Sequence, residues 1–265
     1  RVYAHVNADS WMLALDTSGD PLYKRGYKTE HHEASMKEVL AAGLLKLSGW
    51  SSHQYFLDGM SGSGTIAMEA ALLALQIPSG MYRSRFAFEC LLNFNATLWT
   101  TVKDSAISRI KETNIHIQAN DLQFKSFRSM QQTVIAAQLE DSITCTQKSF
   151  FEITPEPKSG VVFLNPPYGE RLPVREISDF YKDIGNTLKR HYSGYTAWII
   201  SSNTDALKQI GIKYWNASPK TTPIPWFNKH SDTSKKQTAL QENESTNYVI
   251  GVMSEAIDYD SLPAL

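Results

Sequence analysis

Hydrophobic and polar positions follow two rhythms along this chain, one typical of β-strands and one typical of α-helices. Residues 2–6 and 11–16 alternate at every second position on either side of a short polar turn, which predicts a β-hairpin. From Met36 to Leu47 the apolar residues recur every three or four positions, which predicts a helix with Ser35 as its cap. The chain therefore opens with a hairpin and continues with a helix.

After residue 50, short apolar runs alternate with helical patterns. The runs predict seven strands, at residues 55–57, 115–119, 143–146, 161–164, 195–201, 212–215 and 248–253. The remaining periodic segments predict helices, at residues 65–75, 86–111, 124–139, 177–191 and 205–210. Strands that alternate with helices form a doubly wound, mostly parallel sheet, so we predict an α/β fold. We expect a hairpin and linker extension over residues 1–30, one domain over residues 31–265, and a mobile excursion at residues 228–247.

Composition narrows the possible classes of protein. The chain has 265 residues, of which 42% are hydrophobic and 20% charged, and this is typical of a globular protein. No apolar run reaches the roughly 20 residues of a membrane-spanning helix, and no signal peptide opens the chain. The two cysteines fit neither a disulfide framework nor a metal site, which favours the cytoplasm. A net charge of −1 gives no general attraction for nucleic acid.

A loop of small residues follows the predicted strand at 55–57 and reads DGMSGSGT from Asp58 to Thr65. Glycines in this position let a ligand approach the N-terminus of the next helix. Neither the dinucleotide fingerprint nor the phosphate-binding loop is complete here, because a third glycine and a Gly-Lys pair are missing. An acid at Asp58 would repel a pyrophosphate and suits a cationic or amino-bearing ligand. A simple tight turn is the alternative.

A second acid, Asp121, ends the next predicted strand. An acid in this place can accept hydrogen bonds from both hydroxyls of a ribose. A strand-end aspartate can equally cap the following helix, and the sequence leaves both roles open.

The third candidate is NPPY, from Asn165 to Tyr168, which stops the apolar strand at 161–164. Open α/β sheets bind ligands at the carboxyl ends of their strands. The Asn165 side-chain carbonyl and a backbone carbonyl held rigid by proline provide two acceptors for an exocyclic NH₂ group. The Tyr168 ring offers a surface on which a base can stack. This tip is therefore suited to hold a planar amine.

Two weaker candidates lie elsewhere. The triplet His31-His32-Glu33 lacks a third ligand at helical spacing, so we predict no metal site. Arg83 and Arg85 are placed either to contact an RNA backbone or simply to solvate the start of a helix.

Taken together, the loop and the NPPY tip resemble those of the amino-methylating class I S-adenosylmethionine-dependent methyltransferases. More narrowly, the chain resembles the bacterial 23S rRNA guanine-N2 methyltransferases that carry an RNA-binding THUMP domain before the catalytic one. The segments that carry this resemblance are LDTSG (15–19), KRGY (24–27), KEVLAA (37–42), GSGTI (62–66), EAA (69–71) and NPPYGERL (165–172). The resemblance implies a Rossmann-like seven-stranded sheet.

The resemblance also implies the site residues. Those expected to bind S-adenosylmethionine are Ser35, Asp58, Met60, Ser61, Gly62, Ser63, Gly64, Thr65, Asp121, Ser149, Phe150 and Asn165. Those expected to hold the target amine and base are Asn165, Pro166, Pro167 and Tyr168. No metal is implied.

The chain departs from the family pattern at four positions. Gly59 and Ser61 stand where the family often has a proline and a cysteine, and Gln123 stands where it has a second acid. Lys148-Ser149-Phe150 replaces the aspartate that binds the adenine amine, and this bears on cofactor affinity.

The resemblance implies methyl transfer from S-adenosylmethionine to the N2 amine of a guanine in 23S rRNA. Guanine in tRNA, the N6 amine of adenine, and a non-catalytic RNA-binding module with the same fold are the alternatives. The family's THUMP-type RNA-binding region would precede Arg1 and is absent from this chain, so we expect RNA binding by this chain alone to be weak and salt-sensitive.

Overall fold

The computed structural model of the chain describes residues 1–28, 36–167, 174–201, 203–212, 215–216 and 249–253. Its strands are β1 (Val2–Asn7), β2 (Ser10–Leu15), β3 (Phe56–Asp58), β4 (Ile117–Asn120), β5 (Ile143–Thr146), β6 (Gly160–Leu164), β7 (Tyr195–Ile200), β8 (Trp215–Asn216) and β9 (Val249–Met253). Its α-helices are α1 (Glu38–Ser48), α2 (Thr65–Ala74), α3 (Ala96–Ile107), α4 (Phe124–Ala136), α5 (Val174–His191) and α6 (Thr204–Lys208).

The main sheet has the strand order β5-β4-β3-β6-β7-β9-β8, and all of its recorded pairings are parallel. The chain moves outward from β3 to β4 and β5, and then returns to the other side of β3 to add β6 and β7. The order of the strands therefore reverses between β3 and β6. In open α/β sheets this switch point opens a crevice at the carboxyl ends of the strands, where ligands bind.

Two hydrophobic clusters cover the two faces of the sheet. Phe56, Ile117 and Phe163 point to one face, where they pack with α1, α2 and α4. Leu57 and Val162 point to the other face, where they pack with α5 and α6. Successive strand residues alternate between the faces because the side-chain period of a strand is two. Apolar residues on both faces explain why these strands read as continuous apolar runs.

The predicted hairpin is confirmed as the antiparallel pair β1 and β2, which forms a separate two-stranded sheet. All twelve residues of the two strands are exposed, including Trp11 and Leu13 at 78% and 74%. The division of the chain at residue 30 stays a prediction, because residue 30 lies outside the described ranges.

The segment between the hairpin and α1 is anchored by buried polar contacts. Glu69 of α2 accepts hydrogen bonds from Tyr27 Oη at 3.0 Å and from Arg25 Nε and Nη2 at 3.4 Å each. Lys28 forms a buried ion pair with Glu38 at 3.2 Å. The free-energy cost of burying these charges is offset because each charged side chain has a partner of opposite charge.

Arg83 also holds the segment between the hairpin and α1, through residues 18–24. Its guanidinium donates four hydrogen bonds, of 2.9 to 3.3 Å, to the backbone carbonyls of Ser18, Asp20, Pro21 and Lys24. These bonds occupy both terminal nitrogens and give Arg83 a structural role, while the RNA contact considered from the sequence stays a prediction.

Some predicted boundaries were wrong. Residues 86–111 were expected to be mostly helical, but a 3-10 turn at Ala87–Cys90 and helix α3 share them. The Asn95 side chain accepts a hydrogen bond from the Leu98 amide at 2.9 Å, and this cap starts α3 anew. Helix α1 starts at Glu38, with Lys37 at the cap position, and not at Ser35. The triplet His31-His32-Glu33 and the predicted excursion at 228–247 lie outside the described residues.

Within the described ranges, no helix is both long enough and apolar enough to cross a membrane. The same ranges contain no group of three or more His, Cys, Asp or Glu side chains placed to hold a metal ion.

Candidate cofactor and amine site

Asp58 ends β3 at the switch point and is fully buried. Its Oδ2 atom accepts a hydrogen bond from the Ala67 amide at 3.2 Å, while Oδ1 has no hydrogen-bond partner among the described residues. Burial raises the pKa of the carboxyl group to about 7, and the nearby charge of Asp121 adds to this shift. A buried acceptor without a partner is costly, so this oxygen marks a place where a donor from a ligand fits.

The glycine loop turns sharply between β3 and α2. Gly62 and Gly64 have φ angles of +57° and +80°, in the left-handed region that favours glycine. A Cβ atom at Gly62 would meet nothing within 4 Å, so the loop leaves open space on this side. At Gly64 the same atom would approach the Met130 side chain to 2.8 Å. Gly64 is also the N-cap residue of α2, so the loop delivers the helix N-terminus to the site.

The other predicted residues of this loop differ in how deeply they are buried. Met60, Ser61 and Ser63 are half-buried, whereas Thr65 is buried. The Ser61 hydroxyl donates to the carbonyls of Asp58 and Asn120, at 2.9 and 3.1 Å. Ser61 therefore pins the loop to the end of β4, which is a structural use for the hydroxyl that replaces the family's cysteine.

Gly59 explains another departure from the family pattern. Its amide donates to the Phe163 carbonyl of β6 at 2.9 Å, a bond that a proline has no hydrogen to make. A Cβ atom here would also lie 2.7 Å from Leu164 and 2.8 Å from Phe150. This chain therefore requires glycine at the position.

Asp121 follows β4 and faces the glycine loop. Its Oδ2 atom accepts from the Gly62 amide at 2.8 Å, and its Oδ1 atom accepts from the Gln123 amide at 2.9 Å. Burial raises the pKa of this carboxyl group, and hydrogen bonds from the Gln123 and Gly62 amides and from the Ser126 side chain oppose the shift. The bond to Gln123 is a local turn before α4, whose N-cap residue is Gln123 and has no side-chain cap bond, so the helix cap considered from the sequence is not observed. A carboxylate can accept about four hydrogen bonds, so acceptor capacity for a ribose remains.

Ser149 and Phe150 follow β5 and differ in their accessibility. Ser149 is half-buried, but Phe150 is only 3% exposed. The Phe150 ring stacks on Tyr192 with centroids 5.4 Å apart, and its edge lies under Gly59. Phe150 thus supports the glycine loop from the core, and the described arrangement gives its ring no open face toward the crevice.

The tip begins at Asn165, directly after β6, and β6 is the strand that pairs with β3 in the sheet. Asn165 and Pro167 are half-buried and Pro166 is buried. The Asn165 Oδ1 atom is buried and has no hydrogen-bond partner in the described part of the chain. Tyr168 and Ser35, both predicted to belong to the site, lie outside the described residues.

At the carboxyl ends of the neighbouring strands β3 and β6 lie two buried oxygen acceptors, Asp58 Oδ1 and Asn165 Oδ1, for which the described residues supply no hydrogen-bond partner. Open space at Gly62 lies on the loop between β3 and α2. These two acceptors favour a ligand that presents N–H or O–H donors to them, or one that carries a positive charge nearby.

The sequence analysis missed Asn120, which joins the loops around this edge. It is fully buried and its side chain makes four hydrogen bonds. An asparagine at the end of a buried strand was the available signal, because a buried amide must satisfy all of its polar atoms.

The comparison with protein families agrees with this geometry. The family described as "RMKL-like, methyltransferase domain" matches residues 25–222, which is 198 of the 265 residues. The chain belongs to this family. The resemblance seen in the sequence is therefore confirmed, and the matched part of the RMKL-like methyltransferase domain includes β3, the glycine loop, β4 and the tip after β6.

Curated relatives of this chain are named as ribosomal RNA methyltransferases. The "Ribosomal RNA large subunit methyltransferase K/L" of Aliivibrio salmonicida is 34% identical over 220 residues, which are 80% of this chain and 31% of the relative. The protein of the same name from Methylococcus capsulatus is 34% identical over 221 residues, which are 80% of this chain and 30% of the relative. The chain thus spans about a third of the length of these relatives.

Solved structures share the fold of this RMKL-like methyltransferase domain. SMU.472, crystallised in complex with SAH, is 29% identical with a TM-score of 0.75, covering 80% of this chain and 56% of SMU.472. A Listeria monocytogenes protein titled "a predicted N6-adenine-specific DNA methylase" is 30% identical with a TM-score of 0.75 and the same coverage. The predicted α/β, Rossmann-like fold class is confirmed.

Proposed function

We propose that this chain transfers a methyl group from S-adenosylmethionine to the exocyclic N2 amine of a guanine in 23S ribosomal RNA. Its family and the names of its curated relatives support methyl transfer to ribosomal RNA. The observation that carries the proposal is the buried Asn165 Oδ1 atom, which lacks a hydrogen-bond partner within the described ranges and follows β6, the strand that pairs with the one ended by Asp58. The resemblance of the NPPY tip to that of guanine-N2 methyltransferases supports the choice of base.

The described residues fit S-adenosylmethionine by the chemistry of their donors and acceptors. We assign Asp58 Oδ1 to the side of the ligand that carries the amino group, because an acceptor without a partner is present there. We assign the remaining lone pairs of Asp121 to the ribose hydroxyls. The amide-rich loop from Met60 to Thr65, with open space at Gly62, would lie against the ligand. Ser149 would accept from the adenine amine, and Ser35 would border the methionine end.

When bound, S-adenosylmethionine supplies a methyl group on a positively charged sulfur. The tip would prepare the other reactant. Asn165 Oδ1 and the Pro166 carbonyl would each accept a hydrogen bond from one N–H group of the target amine. These two bonds would fix the direction of the nitrogen lone pair. The amine held in this way would take the methyl group from sulfur, with the carbon–sulfur bond breaking as the nitrogen–carbon bond forms, and its surplus proton would pass to water. Orientation of this kind is worth several kcal/mol of the barrier.

The target base would be turned out of its helix and stacked on Tyr168. Pro166 and Pro167 would keep the tip rigid, because each proline ring fixes its own φ angle. Neither a metal ion nor a protein nucleophile is required for this transfer, since the sulfur already leaves as a neutral group.

One rival has a specific observation in its favour. The Listeria structure is titled an adenine-specific methylase, and the same tip would suit the N6 amine of adenine. Guanine in tRNA is a further rival with the same chemistry. A non-catalytic RNA-binding module would keep the fold but would have no use for the two buried acceptors. We further propose RNA as the partner of this chain and the cytoplasm as its location, because both follow from a reaction on ribosomal RNA.

Mass-spectrometric nucleoside analysis of 23S rRNA tests the proposal directly. RNA from cells with and without the gene is digested and its methylated nucleosides are quantified. We expect one N2-methylguanosine to disappear without the gene and to return when it is restored. Loss of N6-methyladenosine would favour the adenine rival, and unchanged methylation of all ribosomal and transfer RNA would contradict the proposal.

A further inference from the structure

Asn120 lies at the end of β4, between the glycine loop and the loop that follows β5. We propose that Asn120 is a positioning residue, whose buried amide holds these two loops together as one preformed wall of the cofactor site. This inference rests on the proposed function, because the wall matters only if the edge binds S-adenosylmethionine. Asn120 itself is not expected to touch the ligand.

The four side-chain bonds of Asn120 reach both loops. Its Nδ2 atom donates to the carbonyl of Gly59 at 3.1 Å and to the carbonyl of Lys148 at 3.0 Å. Its Oδ1 atom accepts from Thr146 Oγ1 at 2.9 Å and from the Lys148 amide at 3.1 Å. A side-chain amide has two donor hydrogens and two acceptor lone pairs, so its capacity is fully used.

The backbone of Asn120 adds three bonds to one partner. The Ser61 amide and hydroxyl both donate to the Asn120 carbonyl, at 2.9 and 3.1 Å. The Asn120 amide donates to Ser61 Oγ at 2.9 Å. The glycine loop is therefore fixed at both Gly59 and Ser61, and the loop after β5 is fixed at Lys148.

The positions that Asn120 fixes adjoin those assigned to the ligand. Ser61 precedes Gly62, Lys148 precedes Ser149, and Asp121 directly follows Asn120 in the chain. Gly62 and Asp121 are also joined by the amide-to-carboxylate bond of 2.8 Å. A shift at Asn120 would therefore move the ribose acceptor, the loop and the adenine-side serine relative to one another.

Only an amide satisfies this location. Two backbone carbonyls point at Nδ2 while a hydroxyl and an amide point at Oδ1, so both donors and acceptors are needed in one buried side chain. Alanine would leave these groups without partners, and aspartate would set oxygen against the two carbonyls. Fully satisfied buried networks of this kind hold a site in one geometry.

Gln118 provides a matched control on the same strand. Its side chain also makes two hydrogen bonds, from Tyr55 Oη at 2.6 Å and to Thr146 Oγ1 at 3.1 Å. Neither bond reaches the glycine loop or Lys148. Gln118→Ala therefore removes hydrogen bonds to Tyr55 and Thr146 but keeps those that hold the glycine loop and the loop after β5.

The experiment compares Asn120→Ala, Thr146→Val and Gln118→Ala with the unchanged chain. SAH affinity is measured by calorimetry, and hydrogen exchange is followed in the ligand-free proteins over peptides that contain residues 59–64 and 147–150. We expect Asn120→Ala to weaken SAH binding by about 10- to 100-fold, the range that follows when a site loses its preformed geometry. Both peptides should exchange faster in this variant, and peptides from α5 should not.

Thr146→Val keeps the test decisive even if Asn120→Ala does not fold. It removes the bond between Thr146 and Asn120 and the bond between Thr146 and Gln118. Gln118→Ala also removes the bond between Thr146 and Gln118 but keeps the one between Thr146 and Asn120. We expect Thr146→Val to weaken SAH binding by about two- to fivefold and Gln118→Ala to change it less than twofold.

Equal SAH affinity in Asn120→Ala and the unchanged chain would overturn the inference. So would equal losses in Thr146→Val and Gln118→Ala, or faster exchange spread evenly over the domain, since a general loss of stability explains these results. If the unchanged chain does not bind SAH, the proposed function fails separately. The exchange pattern of the ligand-free chain then still decides whether Asn120 holds the loops.

Discussion

Asp58 and Glu69 are two carboxyl groups buried within the same strand–helix unit, and their surroundings differ sharply. Glu69, 2% exposed, accepts hydrogen bonds from Tyr27 and Arg25. Asp58, 0% exposed, accepts one backbone bond, and the described residues provide no cation for it and no partner for its second oxygen. Burial raises the pKa of both groups, but the charge of Arg25 opposes the shift at Glu69 while the charge of Asp121 increases it at Asp58.

The contrast separates an acid with partners inside the protein from one that we propose to bind a ligand. Glu69 has found its partners within the protein, so its burial holds the segment around Tyr27 against α2. Asp58 bears the cost of burial without a counter-charge, as groups at functional sites often do. We therefore expect changes at Glu69 to alter stability, and changes at Asp58 and its neighbours to alter binding and catalysis.

Glu69→Ala should cause the largest loss of stability. It leaves the largely buried Arg25 side chain, 13% exposed, without its carboxylate partner and the buried Tyr27 hydroxyl without its acceptor, and we expect a loss of roughly 3–5 kcal/mol in the free energy of unfolding. Urea denaturation measures this change. The exposed pair Asp205–Lys208 is the control, since solvent screens such pairs and Asp205→Ala should change the free energy of unfolding far less than Glu69→Ala. Equal effects at the two sites would show that the Glu69 network contributes little.

Asn165→Ala should act on the reaction and not on stability. We expect methyl transfer to fall by about 10² or more while the SAH dissociation constant stays within a few-fold, since the lost acceptor contacts the amine of the target base. Single-turnover kinetics together with calorimetry separate these quantities. Near-normal turnover on the true RNA would remove Asn165 from the site.

The Asp58 carboxyl group should make folding depend on pH. Its pKa is about 7 in the folded chain and about 4 when unfolded, so the folded state retains its proton to higher pH. The free energy of unfolding should therefore fall as pH rises between about 4 and 7, with about 2–3 kcal/mol lost between pH 5 and pH 8. Asp58→Asn should abolish this part of the pH dependence in ligand-free protein. A variant with the same pH profile as the unchanged chain would contradict the shift.

Asp121→Ala should have the smallest effect of the series. The loss of charge-assisted bonds to ribose hydroxyls predicts that SAH binding weakens by roughly 1–3 kcal/mol. The Gly62 and Gln123 amides also lose their acceptor, so a modest loss of stability should accompany it. An unchanged dissociation constant would leave Asp121 with only its structural bonds to the Gly62 and Gln123 amides.

The parts of the fold that follow from local patterns were predictable. The buried strands β3, β4, β5 and β6 appear as short apolar runs, because a parallel sheet covered on both faces needs apolar residues throughout. The glycine loop and the NPPY tip stood out because their backbone chemistry ends a strand abruptly. Both lie where the strand order reverses, and the order itself became visible only in the structure.

What the sequence did not reveal depends on contacts between distant residues. Asn120 meets Gly59 and Lys148, which lie 61 and 28 residues away. Phe150 looked available for an adenine ring until the structure placed it under Gly59 in the core. Arg83 bonds carbonyls about sixty residues earlier, and no spacing rule predicts such a contact. Side-chain type suggests chemistry, but tertiary packing decides which groups remain open to a ligand.

Calorimetric titration of this chain with S-adenosylmethionine is the measurement that tests the central claim most directly. The two buried acceptors at Asp58 and Asn165 that the described residues leave unpaired, together with the glycine loop, predict saturable heat with one ligand bound per chain. Asp58→Ala should greatly reduce that heat, and Glu69→Gln should leave the affinity within a few-fold in protein that remains folded. A folded chain that gives no heat with S-adenosylmethionine would contradict the account and favour a non-catalytic module.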